Sequence, residues 1–169
     1  MTIEEAIKTA IIYETKIRDI YRDAADKVAD PAGKKFFKMM GDDEQYHVGY
    51  LMEQLKLWKK TGKLYAENLK ATIPSVEIIR KETAKVKAYM SEEDLSSEKV
   101  ILSRALKAEV ETSNFYKRMV NELPDHGQKM FARFLEIEEN HIAAVQAELD
   151  YITHTGYWFD FKEFDMEEL

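Results

Sequence analysis

Apolar residues along the chain recur with the alternating spacing of three and four that paints one face of a helix. Over residues 2–29 that face is Ile3, Ile7, Ala10, Ile17, Tyr21, Ala24 and Val28. Asp30-Pro31-Ala32-Gly33 reads as a break followed by a helix start, and Phe37, Met40, Val48, Leu51, Leu55 and Trp58 continue the spacing to about Lys60, where Thr61-Gly62 stops it. A third helix is expected from Ser96-Ser97, an N-cap pair, through Ile101, Leu102, Ala105, Leu106, Phe115, Tyr116, Met119 and Val120 to Leu123-Pro124. A fourth runs from about His126 to His154 on Phe131, Phe134, Val145, Leu149 and Ile152. The connection between the second and third, residues 63–95, is too long for a hairpin loop and carries its own helical stretch from Pro74-Ser75 through Tyr89. Two helix pairs joined by one long crossover (about 61–95) make an all-α four-helix bundle over residues 1–155, followed by an aromatic and acidic tail, 156–169.

The halves resemble each other. Lys34 through Leu55 aligns without gaps on Gln128 through Leu149, and Glu14…Tyr21 aligns on Glu109…Tyr116, which points to an internal duplication. Six Gly and three Pro in 169 residues leave little punctuation, as long helices require. With 25 basic and 32 acidic residues the net charge is −7, and the basic residues are dispersed, so nucleic acid is not an expected partner. The absence of cysteine excludes a disulfide framework, a thiolate nucleophile and any Cys-ligated zinc or iron. Met1-Thr-Ile-Glu-Glu-Ala lacks the basic start and apolar core of a signal peptide, and no apolar run approaches a membrane span, so no membrane partner is expected and the cytoplasm is the expected location.

What interrupts the apolar faces carries the chemistry. Glu14 sits in the first seam, Glu44 and His47 in the second, Glu109 in the third, and Glu138 and His141 in the fourth between Phe134 and Val145. Buried unpaired charges cost several kcal/mol each, so four carboxylates inside one bundle need a reason. Two divalent cations supply it, since four carboxylates and two M²⁺ are together neutral. Residues at i and i+3 are neighbours on a helix, so Glu44/His47 and Glu138/His141 can each converge on one metal pair. With 21 Glu in the chain a lone Glu-x-x-His means little. Two of them at matched positions of duplicated halves, each with a seam Glu 30 or 29 residues upstream, mean much more.

One Glu from each of two helices and Glu-x-x-His from each of the other two is the ligand pattern of the ferritin-like di-metal carboxylate bundles. Over residues 2–155 the chain resembles the rubrerythrin family of that superfamily, on Glu14 with Tyr21, Phe37…Glu44-x-x-His47, Glu109 with Tyr116, and Phe131…Glu138-x-x-His141. The resemblance implies Glu44 and Glu138 as bridging carboxylates, Glu14 and Glu109 as terminal ligands, His47 and His141 as one nitrogen ligand per metal, and Tyr21 and Tyr116 as hydroxyls bonded to ligand carboxylates. Two departures stand out. Thr112 occupies the position where rubrerythrins carry a further Glu, and without cysteine there is no rubredoxin domain, so any reductant must be external.

The function so implied is a non-haem di-iron oxidoreductase. Two irons, or manganese or a mixed pair, would reduce hydrogen peroxide or O₂ with electrons from an external donor such as a rubredoxin-like protein, in oxidative-stress protection. A ferroxidase that handles iron and a metal-stabilised bundle without turnover are the rivals. His126 and His154 are assigned no role, and Asp42-Asp43, Glu92-Glu93-Asp94 and Glu167-Glu168 are read as solvated faces. The run Trp158-Phe159-Phe161-Phe164 is expected to be covered by the bundle or by a second subunit of a homodimer.

Overall fold

The computed structural model describes residues 1–65, 69–84 and 96–159, with the side chains of 82–84 and 96 left aside. Among these the chain is all-helical: α1 Ile3–Lys27, α2 Pro31–Thr61, α3 Val76–Ala84, α4 Ser96–Glu122 and α5 Asp125–Thr155. No helix is long and apolar enough to cross a membrane. The helices pack as two pairs, α1 with α2 and α4 with α5, joined along α1 and α4, while α3 lies on α5.

Local chemistry sets most of the boundaries. Thr2 and Glu5 form a capping box at the start of α1, with Glu5 N–H donating to Thr2 Oγ1 (3.2 Å) and Thr2 N–H to Glu5 Oε2 (2.8 Å). Asp30 accepts from Ala32 and Gly33 N–H ahead of Pro31, which leads α2. Gly62 and Gly156 end α2 and α5 at φ of 68° and 74°, left-handed values that glycine takes without a Cβ penalty. One boundary differs from expectation: α4 already includes Ser96 and Ser97, so this pair is no outside cap, whereas α5 starts at Asp125, within a residue of its expected start, with no side-chain cap. The crossover helix begins where Ser75 Oγ accepts from Ile78 N–H, and its expected end at Tyr89 lies outside the described residues.

Positions 94 residues apart repeat their hydrogen bonds beyond the helices. Thr61 and Thr155 each donate to the carbonyl four residues earlier (2.8 and 2.7 Å) and accept from the N–H two residues later (3.2 and 3.1 Å). Gln54 Oε1 accepts from Tyr65 N–H at 2.8 Å, and Glu148 Oε2 from Phe159 N–H at 3.0 Å, so each half folds its post-helical segment back onto its own second helix. The second of these segments seats Trp158 and Phe159 on the bundle; Phe161 and Phe164 lie outside the described residues.

The interior divides into two apolar clusters. One gathers Ile17, Tyr21, Phe37, Met40, Leu102, Val145 and Trp158. The other gathers Ile7, Ala10, Leu51, Tyr116, Phe131 and Phe134. Between them, one turn from each, lies a polar layer.

Candidate metal centre

Every charged residue that interrupts a seam ends in that layer. Glu14, Glu44, His47, Glu109, Glu138 and His141 are all fully buried. Each half of the chain supplies three of them. Tyr21 of α1 faces Glu109 of α4 while Tyr116 of α4 faces Glu14 of α1, so the two helices run antiparallel and exchange equivalent contacts. The contacts of His141 with Glu44, and of His47 with Glu138, relate α2 and α5 in the same way.

The distances sort the carboxylates into two kinds. Glu44 spans both imidazoles, with Oε2 3.2 Å from His47 Nδ1 and Oε1 2.7 Å from His141 Nδ1. Glu138 Oε1 also lies between them, 4.0 and 3.8 Å from the same two nitrogens. Glu14 approaches His47 alone (3.4 Å) and Glu109 approaches His141 alone (3.5 Å). Two sets of ligand atoms result, Glu14/Glu44/His47/Glu138 and Glu44/Glu109/Glu138/His141, each within 4.8 Å of one another. Glu44 and Glu138 belong to both.

Many of these atoms are orphans. Among the described residues Glu44 Oε1 and His141 Nδ1, though 2.7 Å apart, make no well-directed hydrogen bond, and Glu109 Oε2, both oxygens of Glu138 and His47 Nε2 are likewise buried without one. Buried polar atoms are rarely left unpaired, and these point at one another across the layer. Four carboxylates and two imidazole nitrogens, in two overlapping quartets, could hold metal through oxygen and nitrogen ligands.

Charge inside the layer is partitioned by burial and by neighbours. Burial, followed by repulsion from Glu14 and Glu109, pushes Glu44 well above the usual carboxylate range, and burial with Glu109, Glu14 and Glu44 does the same to Glu138. Burial also disfavours the Glu14 anion, but hydrogen bonds from Glu44 and His47 outweigh it and hold Glu14 at about 2. Glu109 is held low against burial by His141, Glu138 and Tyr21. Burial opposes charge on both imidazoles, yet the surrounding carboxylates raise His47 to about 10 and His141 well above its usual value. Without metal these shifts favour the acid form of Glu44 and Glu138, the ionised form of Glu14 and Glu109, and the imidazolium form of His47 and His141. Tyr21 and Tyr116, pushed up by burial and by Glu109 and Glu14 respectively, remain phenols that donate to those carboxylates.

One further carboxylate joins the layer against expectation. Asp43, read from the sequence as part of a solvated acidic pair with Asp42, is 3% exposed. Its Oδ2 lies 2.6 Å from His141 Nε2 and 3.5 Å from His47 Nε2, and its Oδ1 accepts from Thr72. This carboxylate therefore holds the outer nitrogen of His141, which turns His141 Nδ1 to the layer, while His47 Nε2, 3.5 Å away, has no hydrogen-bond partner among the described residues; the two rings stack at 5.4 Å. The signal was available: Met40, Asp43 and His47 follow the same three-and-four spacing as Met40, Glu44 and His47. The duplicated position is Ile137, so this support comes from one half only. Asp42 is exposed as expected.

Other expectations resolve plainly. His126 and His154 are exposed and away from the layer. Thr112 is buried with its hydroxyl donating to Ala108 O at 3.0 Å, turned to its own helix, and Glu111 is exposed, 3.5 Å from Lys16. A pocket of about 540 Å³, rimmed by Lys35, Lys38, Asp42 and Tyr46, leads from the surface to Asp43 and Thr72. A larger cleft of about 710 Å³ between α3 and α5 reaches none of the six buried residues. No protein-family model, curated protein or solved structure matches the chain.

Proposed function

We propose that the chain is a ferritin-like di-metal carboxylate protein, and that its activity is that of a di-iron oxidoreductase reducing hydrogen peroxide with electrons from an external one-electron donor. The observation that carries this reading is the pair of overlapping ligand quartets sharing Glu44 and Glu138. Glu44 and Glu138 would bridge, Glu14 with His47 would complete one site, and Glu109 with His141 the other. Iron bound by these residues would supply the two electrons needed to convert one hydrogen peroxide and two protons to two waters.

The protein's own residues do the remainder. Apolar clusters on both sides of the layer keep bulk water out, which strengthens every electrostatic contact within it. Tyr21 and Tyr116 orient the terminal carboxylates by donating to Glu109 and Glu14. Asp43 orients the His141 imidazole through Nε2, so that its Nδ1 faces inward. A second reading, reaction with O₂ as an oxidase or a ferroxidase that handles iron, is favoured by Thr112, which offers the layer no extra carboxylate.

The test is anaerobic loading with Fe(II) and stopped-flow absorbance after mixing with hydrogen peroxide or O₂ in parallel. Fast oxidation by peroxide with slow oxidation by O₂ supports the peroxidase. The reverse order moves the assignment to the oxidase or ferroxidase, and a rate no faster than that of free iron leaves a metal-stabilised bundle.

A further inference from the structure

The pseudo-symmetry of the two halves is broken at Trp158, whose counterpart is Leu64. The indole is 7% exposed and lies against Gly33, where a Cβ would come within 2.7 Å of its ring, so the glycine is what lets it in. Its ring centroid is 5.4 Å from that of Phe37, edge to face, and Phe37 is 6.2 Å from Tyr21. Tyr21 donates its hydroxyl hydrogen bond to Glu109. An aromatic file thus runs from the edge of the bundle to the carboxylate layer. The equivalent phenol, Tyr116, is ringed by Phe115, Phe131 and Phe134, with no indole beside it among the described residues.

We propose that Trp158, Phe37 and Tyr21 form a one-electron path between the protein surface and the buried carboxylate cluster. Indole and phenol are the most readily oxidised side chains this cysteine-free protein owns. A tunnelling rate falls steeply with distance, so two oxidisable rings divide one long transfer into short ones, with the Phe37 ring filling the gap between them. The two ends differ in how they handle the proton. Among the described residues the buried Trp158 N–H has no hydrogen-bond partner, although a buried indole usually finds one. Its radical cation therefore finds no acceptor for its proton among the described residues and passes the hole on. Tyr21 has an acceptor in place.

The balanced step follows from that difference. A one-electron oxidant removes an electron from the Trp158 indole. Tyr21 returns an electron to the indole while its hydroxyl proton moves along the hydrogen bond to Glu109, leaving a neutral phenoxyl radical. With a reduced one-electron carrier protein at Trp158 as donor, the same rings carry electrons inward, and the proton returns from Glu109 to Tyr21. The purpose of the path rests on the proposed redox function of the cluster; its existence does not.

The test uses the full chain without added metal, so it stands or falls separately from the metal assignment. A photogenerated ruthenium(III) polypyridyl complex oxidises the protein, and the radicals are read by transient absorption and by electron paramagnetic resonance with ring-deuterated tyrosine. The expected result is an indole radical cation that decays as a phenoxyl radical grows, the latter absent in Y21F. W158F should lower the Tyr21 radical yield at least tenfold, W158Y should restore part of it in a packed fold, and W58F, which alters the other indole, should leave it unchanged. In Y21F the indole radical should persist. Equal Tyr21 radical yields in the wild type, W158F and W158Y, or radicals confined to tyrosines other than Tyr21, would overturn the proposal.

Discussion

Filling the cluster with two divalent cations should expel four protons. Without metal, Glu44 and Glu138 keep theirs because burial and neighbouring carboxylates push both well up, while His47 at about 10 and His141 above its usual value are imidazolium at neutral pH. Glu14, at about 2, and Glu109 are already ionised. Ligation requires all four carboxylates ionised and both imidazoles neutral at Nδ1, so Glu44, Glu138, His47 and His141 each release one proton. The exchange conserves charge: two anions and two imidazolium ions before, four anions and two M²⁺ after. Four protons correspond to about 5.4 kcal/mol of binding free energy for the ion pair per pH unit, at about 1.36 kcal/mol each. The assay is a titration of Mn(II) into weakly buffered protein at neutral pH with an indicator dye, repeated over the neutral range to obtain the slope of affinity with pH. Release of one proton or none, or an affinity indifferent to pH, would refute the charge assignment.

Stability should respond to pH with opposite signs in the two forms. His47 is raised from 6.5 to about 10, so its contribution to the metal-free fold is complete below 6.5 and is lost as pH rises through about 10; Glu44 and Glu138, also raised, act in the same direction above 4.5. Glu14 contributes above 4.5 and loses its contribution as pH falls towards 2. Thermal unfolding should therefore show metal-free protein weakening from neutral to alkaline pH while Mn(II)-loaded protein strengthens. Glu138→Gln should abolish loading yet leave the metal-free Tm no lower, because the amide resembles the protonated acid in shape and can still donate towards Glu109. Asp43→Asn should weaken metal affinity about 10- to 100-fold, measured by chelator competition, through loss of the carboxylate that holds the His141 imidazole. Gly33→Ala should cost about 1–3 kcal/mol in denaturant unfolding, since its Cβ would collide with the Trp158 ring.

The helices and their buried residues were legible because two independent signals agreed, apolar spacing and the residues that break it. Glu14, Glu44, His47, Glu109, Glu138 and His141 stood out as charges on apolar faces, and burial on those faces is what brings them together. Asp43 escaped because a face is wider than one register line: next to Asp42 it looked like surface, though one turn from His47 it points inward. The start of α5 was legible to one residue, but not the backbone there, where Asp125 takes a φ of 31° and no side chain caps the helix. The Trp158 seat could not be read at all. It depends on Gly33, far away in sequence, leaving room for an indole, which is a property of packing rather than of any local pattern.

The central claim, that the buried carboxylates hold two ions bridged by Glu44 and Glu138, is tested most directly by electron paramagnetic resonance of Mn(II)-loaded protein with the bound metal counted per chain. Two Mn(II) per chain giving the spectrum of an exchange-coupled pair, lost in Glu138→Gln, is the expected result. A spectrum of isolated ions, or no retained metal, would contradict the account.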